Sequence, residues 1–206
     1  MKIAALLSYS GVYSMGKLKL YIVDADYVKY LYGFDNRVMF WDGENYKTDR
    51  KYIGVVLNIN GFNYFAPLSS PKDNDYFYVK GEKKIKKNNI PIIRLVTDDD
   101  VLLGKIKLGN MIPVKDDYIT LYDIEGEPDK KYKGLVKKEM LCIRKSKEEI
   151  IKNASVLYNQ KLNNYEGISY LDATIDFKVL EEACNNYMVD LTEETQQEVE
   201  SDTDNN

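Results

Sequence analysis

The chain has 206 residues, 44% of them hydrophobic, and a formal net charge of −4. That length suits one domain with room for an appendage, and the apolar share excludes wholesale disorder. The absence of histidine and the presence of only 2 cysteines exclude Ser-His-Asp and Cys-His catalysis, a histidine acid/base pair, most catalytic zinc sites and a disulfide scaffold.

The charge is unevenly placed. Residues 190–206 contain 7 acids and no Lys or Arg, so removing them from the net −4 leaves +3 on residues 1–189. This acidic end has almost no large apolar residues and reads as a disordered tail. Residues 1–14 precede a second methionine, Met15. Their short apolar run is broken by Ser8, Ser10 and Gly11. It is too short to span a bilayer and lacks a clean signal-cleavage site. We read residues 1–14 as an extension ahead of a natural start, and residues 15–189 as the domain. Reduced thiols and the absence of a membrane segment point to the cytoplasm.

In chain order, residues 18–23 read as a strand, and Asp24 or Asp26 can cap a short helix through Tyr32. Residues 35–50 form a polar, aromatic loop. Residues 51–68 read as a hairpin around Asn60-Gly61, a dipeptide that tolerates the positive φ angles of a type I′ turn, with the second strand stopping at Pro67. Residues 69–91 are expected to be a long loop carrying Lys80, Lys83, Lys84, Lys86 and Lys87. Strands are expected at 92–96, 101–107, 110–114 and 119–122. Helices follow at 132–145, then after a capping box from Ser146 to Glu149, and last from near Asp176. Cys142 and Cys184 read as small core residues on helices. The pattern is α+β, a single compact domain.

Phosphate-loop, dinucleotide-binding, HExxH and EF-hand signatures are absent. Asp98-Asp99-Asp100 reads as a polar turn between strands rather than a metal site. No cofactor is implied. The chemistry left to the chain is that of Ser, Lys, Arg and Tyr. Ala66-Pro67-Leu68-Ser69-Ser70-Pro71-Lys72 places two hydroxyls and a lysine at a strand end, stiffened by prolines. Taken alone, it is also ordinary turn chemistry.

Four segments in order, LKLYIV…YVKYL…FDNRV, KYIGVVLNINGFNYFAPLSSPK, LGKIKLGNMIPV and YKGLVKKEMLCIRKSKEEIIKNAS, are together similar to the ToxN/AbiQ family of endoribonuclease toxins. These toxins belong to type III toxin–antitoxin and phage abortive-infection systems. The likeness covers roughly residues 17–187. It implies a strongly twisted antiparallel sheet related to the MazF/Kid barrel, with helices around it. It also implies metal-independent RNA cleavage, inhibition by a repetitive RNA antitoxin that the toxin processes into pseudoknot units, and closed toxin–RNA rings. Cellular and phage RNA would be the substrates.

By the same resemblance Ser69, Ser70, Lys72, Tyr46 and Arg50 are the site residues. Family members carry a lysine where this chain has Arg50, and Lys51 is adjacent, so either could take the basic role. The reaction suits such a set. RNA supplies its own 2′-hydroxyl nucleophile, and an enzyme need only align it, stabilise the phosphorane and help the 5′-oxygen leave. Lys51, Lys80, Lys83, Lys84, Lys86 and Lys87 on one arm, and Lys133, Lys137 and Lys138 on another, are candidate RNA contacts, with the 18 Tyr as possible stacking platforms. The rival reading is a small-barrel protein that grips structured RNA without cutting it.

Overall fold

The computed structural model describes residues 18–40 and 50–187. The N-terminal extension, Tyr46 and the acidic tail lie outside these residues. The described chain forms β1 (Lys19–Val23), α1 (Ala25–Phe34), β2 (Lys51–Ile59), β3 (Phe62–Ser69), β4 (Tyr76–Val79), β5 (Glu82–Ile85), β6 (Ile92–Val96), β7 (Leu102–Lys107), β8 (Ile112–Val114), β9 (Ile119–Leu121), α2 (Lys130–Lys145), α3 (Lys147–Leu162) and α4 (Phe177–Asn186).

Asp24 caps α1 by accepting from Tyr27 N at 2.8 Å, and the helix runs past Tyr32 to Phe34. Asn60 and Gly61 take φ values of 51° and 83°, the pair of left-handed residues that a type I′ turn requires. The hairpin they close is the centre of the larger sheet. Its strand order is β6-β7-β3-β2-β1-β9, with β8 also pairing β3, and every pairing is antiparallel. The sheet is twisted, and irregular pairings at Gly54/Leu57 in β2 and Leu95/Val96 in β6 mark where it bends. Among the described residues the end strands β6 and β9 do not pair with each other.

Gly54 is needed for close approach. A Cβ there would lie 2.1 Å from the buried Phe65 ring.

The structure corrects four expectations. β3 does not stop at Pro67 but continues to Ser69. Its outer edge pairs β8 at 63–65 and β7 at 68–69, so Pro67 falls in the gap between two partners, where its missing N–H costs no ladder bond. Residues 69–91 are not one loop. They hold a 3₁₀ turn at Asp73–Asp75 and the β4–β5 hairpin, whose turn residues Lys80 and Gly81 have φ of 49° and 82°. α2 starts at Lys130 because Asp129 caps it, accepting from Lys131 N and Tyr132 N. Ser146 makes no side-chain cap for α3. It sits at φ −94° and ψ 9° between two abutting helices, with its backbone N donating to Cys142 O and its own carbonyl accepting from Ile150 N.

The core lies between the sheet and the helices. α2 covers β6 and β7, α3 covers β2, and α4 packs on β8 and α1. Cys142 and Cys184 are buried core residues, whereas Leu141 and Val179 face out. Tyr64 of β3 and Tyr158 of α3 both donate to Glu181 Oε1 of α4, at 2.8 and 2.6 Å. These three buried polar groups between sheet and helices thus partner one another.

Candidate active site

Ser69 ends β3, Ser70 follows it, and Pro71 leads to Lys72. Ser70 and Lys72 are exposed, and Ser69 is half-buried. Arg50 stands just ahead of β2, the neighbour of β3, and its Nη1 donates to Leu68 O at 3.3 Å. The β2–β3 hairpin therefore brings Arg50 beside the Ser-Ser-Pro-Lys segment, although 18 residues separate Arg50 from Leu68.

A buried ionic group holds this loop in place. Asp75 ends the 3₁₀ turn that follows Lys72 and is 1% exposed. One of its oxygens accepts from Lys72 N at 2.9 Å and from the Lys105 ammonium. The other accepts from Arg94 Nε at 3.2 Å. Arg94 also donates to Lys87 O at 2.7 Å, and Lys86 N donates to Asp75 O at 2.9 Å. Burial alone would raise the Asp75 carboxyl. The Lys105 ammonium, the Lys72 N–H and Arg94 outweigh it and hold Asp75 below its ordinary value.

Cross-strand register defines the faces. Ser69 opposes Lys105, Lys105 opposes Arg94, and Lys107 opposes Ile92. Directly opposed residues share a face, and alternate residues of a strand share it too. Ser69, Arg94, Lys105 and Lys107 therefore share one face of this end of the sheet. Gly104 points to the other face, where α2 packs. A Cβ at Gly104 would come within 2.6 Å of Glu139 Oε1 and 3.2 Å of Ser69 O. Burial pushes the Glu139 carboxyl up to about 7.

The sequence profile described as Toxin ToxN, type III toxin–antitoxin system, matches residues 19–185. The chain belongs to the ToxN family. It is 29% identical over 167 residues to Endoribonuclease ToxN of Pectobacterium atrosepticum, covering 80% of this chain and 91% of that protein. It is 31% identical over 166 residues to Endoribonuclease AbiQ of Lactococcus lactis subsp. lactis, covering 80% and 86%. A structure described under "A processed non-coding RNA regulates a bacterial antiviral system" aligns at TM-score 0.70 and 28% identity, covering 83% of this chain and 99% of that one. Another, concerned with "selective toxin inhibition by a non-coding RNA pseudoknot", aligns at TM-score 0.68 and 26% identity, covering 84% and 98%.

Within this ToxN-family fold, Arg50, Ser69, Ser70 and Lys72 come together. Lys51 does not join them and is not a surface contact. It is 7% exposed, with Nζ 4.5 Å above the Tyr122 ring and 5.9 Å from that of Tyr132. Adjacent strand residues point to opposite faces, which is why neighbours in sequence part here.

Lys80, Lys83 and Lys84 lie on the β4–β5 hairpin, with Lys86 and Lys87 just beyond. Lys83 Nζ stacks 3.9 Å over the Tyr76 ring, and Lys84 pairs with Glu82 at 2.7 Å. Tyr78, opposite Lys83, is 70% exposed. Lys133, Lys137 and Lys138 lie on α2, across the sheet from Ser69 and Lys105. Lys133 and Lys137 both engage Glu125.

Asp98-Asp99-Asp100 forms the turn between β6 and β7, with Asp98 paired to Lys145 at 2.7 Å. Among the described residues no group of three or more His, Cys, Asp or Glu is placed to hold a metal ion. Among the same residues no helix is long and apolar enough to cross a membrane.

Sequence reasoning missed Asp75, Arg94, Lys105 and Lys107. The only available signal was the alternation Lys105-x-Lys107 in a strand whose other residues are apolar or Gly. Nothing marked its partner strand or face.

Proposed function

We propose that this protein is an endoribonuclease toxin that cuts RNA through its own 2′-hydroxyl, leaving a 2′,3′-cyclic phosphate and a 5′-hydroxyl. One observation carries the reading. In a chain whose relatives are named endoribonucleases, the strand end bearing Ser69, Ser70 and Lys72 is gathered with Arg50 on a face rich in positive charge.

Arg50 and Lys72 hold the nonbridging phosphate oxygens. Ser70, exposed beside them, donates to the phosphorane or orients a proton carrier, and Ser69 assists. Tyr46 stacks a base or passes a proton. Each contact contributes about 2–4 kcal/mol in the transition state. No metal ion or cofactor takes part. The β4–β5 hairpin, with exposed Tyr78 and its lysines, leads the RNA strand toward Lys72. Lys137 and Lys138 on α2 meet RNA on the opposite side.

The partner is a repeat-derived RNA antitoxin folded as a pseudoknot, which inhibits the toxin, is processed by it and closes with it into a ring. The role is cytoplasmic phage defence. Residues 15–189 are the working domain, with residues 1–14 and 190–206 as appendages, and the bent sheet is kin to the MazF/Kid barrel.

The test is cleavage of a long adenine-rich RNA in EDTA by wild type, S70A and K72A, with end groups identified. Wild-type cutting to cyclic phosphates, with both variants inactive but still binding RNA, is the expected result. Tight binding with intact RNA from the wild type would favour a binding-only protein.

A further inference from the structure

We infer that Lys107 is a further catalytic residue of this site: its side-chain amine takes the proton of the attacking 2′-hydroxyl. The inference rests on the ribonuclease reading above and assigns a step that Arg50 cannot perform, because a guanidinium stays protonated in proteins.

Two lysines stand two positions apart on β7 and share the face of Ser69. Their surroundings differ. Lys105 is 5% exposed, and its ammonium is bound to Asp75, which keeps it charged and occupied. Lys107 is half-buried at the end of the strand. Among the described residues no hydrogen bond or ion pair engages its ammonium. It lies within electrostatic reach of Lys105 on its own strand, Lys72 on the site loop and Arg50 ahead of β2, with Asp75 the opposing charge. Asp75 is already shared by Lys105 and Arg94.

An amine with this surrounding sheds its proton more readily than a solvated lysine. Burial first, then the charges of Lys105, Lys72 and Arg50, lower its pKa from the ordinary 10.5. A base poised nearer the working pH is the more effective proton acceptor.

The step balances. O2′ bonds to phosphorus while its proton passes to Nζ of neutral Lys107. The P–O5′ bond breaks with its electron pair on O5′, which takes a proton from water. The hydroxide left behind is neutralised by the Lys107 ammonium, restoring the free amine. Arg50 and Lys72 keep their charge on the phosphate throughout.

The decisive variant is K107R, which retains positive charge and length but cannot deprotonate. Single-turnover cleavage of an adenine-rich RNA in EDTA is followed from about pH 6 to pH 10, beside equilibrium RNA binding. The wild-type rate should climb with pH and level off below the ordinary lysine range. K107R should bind RNA within about twofold of wild type yet cut roughly 10²–10⁴-fold more slowly, without that levelling. K107R cutting at the wild-type rate with the same profile overturns the assignment. So does a loss of binding as large as the loss of rate, which would make Lys107 a phosphate contact only. If wild type itself does not cut, the ribonuclease reading fails and takes this step with it. A readout on the unaltered protein guards against misfolding: in NMR of isotopically dimethylated lysines, the Lys107 resonance should titrate below the exposed lysines. A midpoint among theirs overturns the inference.

Discussion

Asp75→Asn tests whether the buried ionic group organises the loop that carries Ser70 and Lys72. The substitution keeps shape and an acceptor for Lys72 N but removes the negative charge facing Arg94 and Lys105, which are 7% and 5% exposed. Breaking a buried pair by removing one partner costs about 3–5 kcal/mol, since the remaining charge cannot return to water. At about 2–4 °C per kcal/mol for a protein of this size, Tm should fall by roughly 6–20 °C. Thermal melts and urea unfolding followed by circular dichroism measure this. Ser69→Ala, half-exposed, should stay within about 0.5 kcal/mol. D75N/K105M should recover part of the loss, because the stranded ammonium is gone. The pH dependence has a defined sign. Because the folded Asp75 pKa is depressed below 3.8, its stabilisation is present above that value and is lost as pH falls through the lower folded value. Wild type should therefore lose stability on acidification through this range, and D75N should lack that contribution. If D75N melts with wild type, or if the double variant is worse than D75N, the charge argument is wrong.

Glu139→Gln should change the pH profile in the opposite sense. A carboxyl held up at about 7 favours the fold when protonated, so wild type loses up to about 3 kcal/mol between pH 4.5 and neutrality, and E139Q should not. Urea midpoints on either side of that range decide it, and parallel curves would refute it. Gly54→Ala should destabilise by about 1–3 kcal/mol by driving a methyl into the Phe65 ring, read as a lower Tm. Arg50→Ala should abolish cleavage with little change in Tm, whereas Lys51→Ala should lower Tm, with RNA binding measured on folded protein unchanged.

The parts legible in the sequence were those with local physical causes. Asn60-Gly61 announced its hairpin because few other dipeptides accept two positive φ angles. Asp24 and Asp176 announced helix starts because a carboxylate ahead of an apolar repeat is a cap. The β4–β5 hairpin escaped because Tyr76–Ile85 packs no continuous face on the core, so no alternation is written into it; only Lys80-Gly81 hinted at the turn. Ser146 matched a capping pattern, yet helix α2 runs so directly into α3 that its backbone groups already have partners. In the site, Ser69, Ser70 and Lys72 stood out as two hydroxyls and a lysine at a strand end, which alone is ordinary turn chemistry. It was the family resemblance that singled them out together with Arg50. Asp75, Arg94 and Lys105 are drawn together by strand pairing across about thirty residues, which no local pattern records.

The seam between Tyr64 and Glu181 has a consequence for the order of synthesis. Every described residue of the site precedes α2, so all of them leave the ribosome while α4 is still unmade. Until α4 arrives, the Tyr64 and Tyr158 hydroxyls lack their shared carboxylate, and the apolar face that Phe177, Leu180 and Cys184 cover is open to water. The nascent chain thus carries the candidate site residues for an interval without the helix that closes the core. The last helix made is therefore the one that completes the hydrogen bonds of Tyr64 and Tyr158 and closes the core.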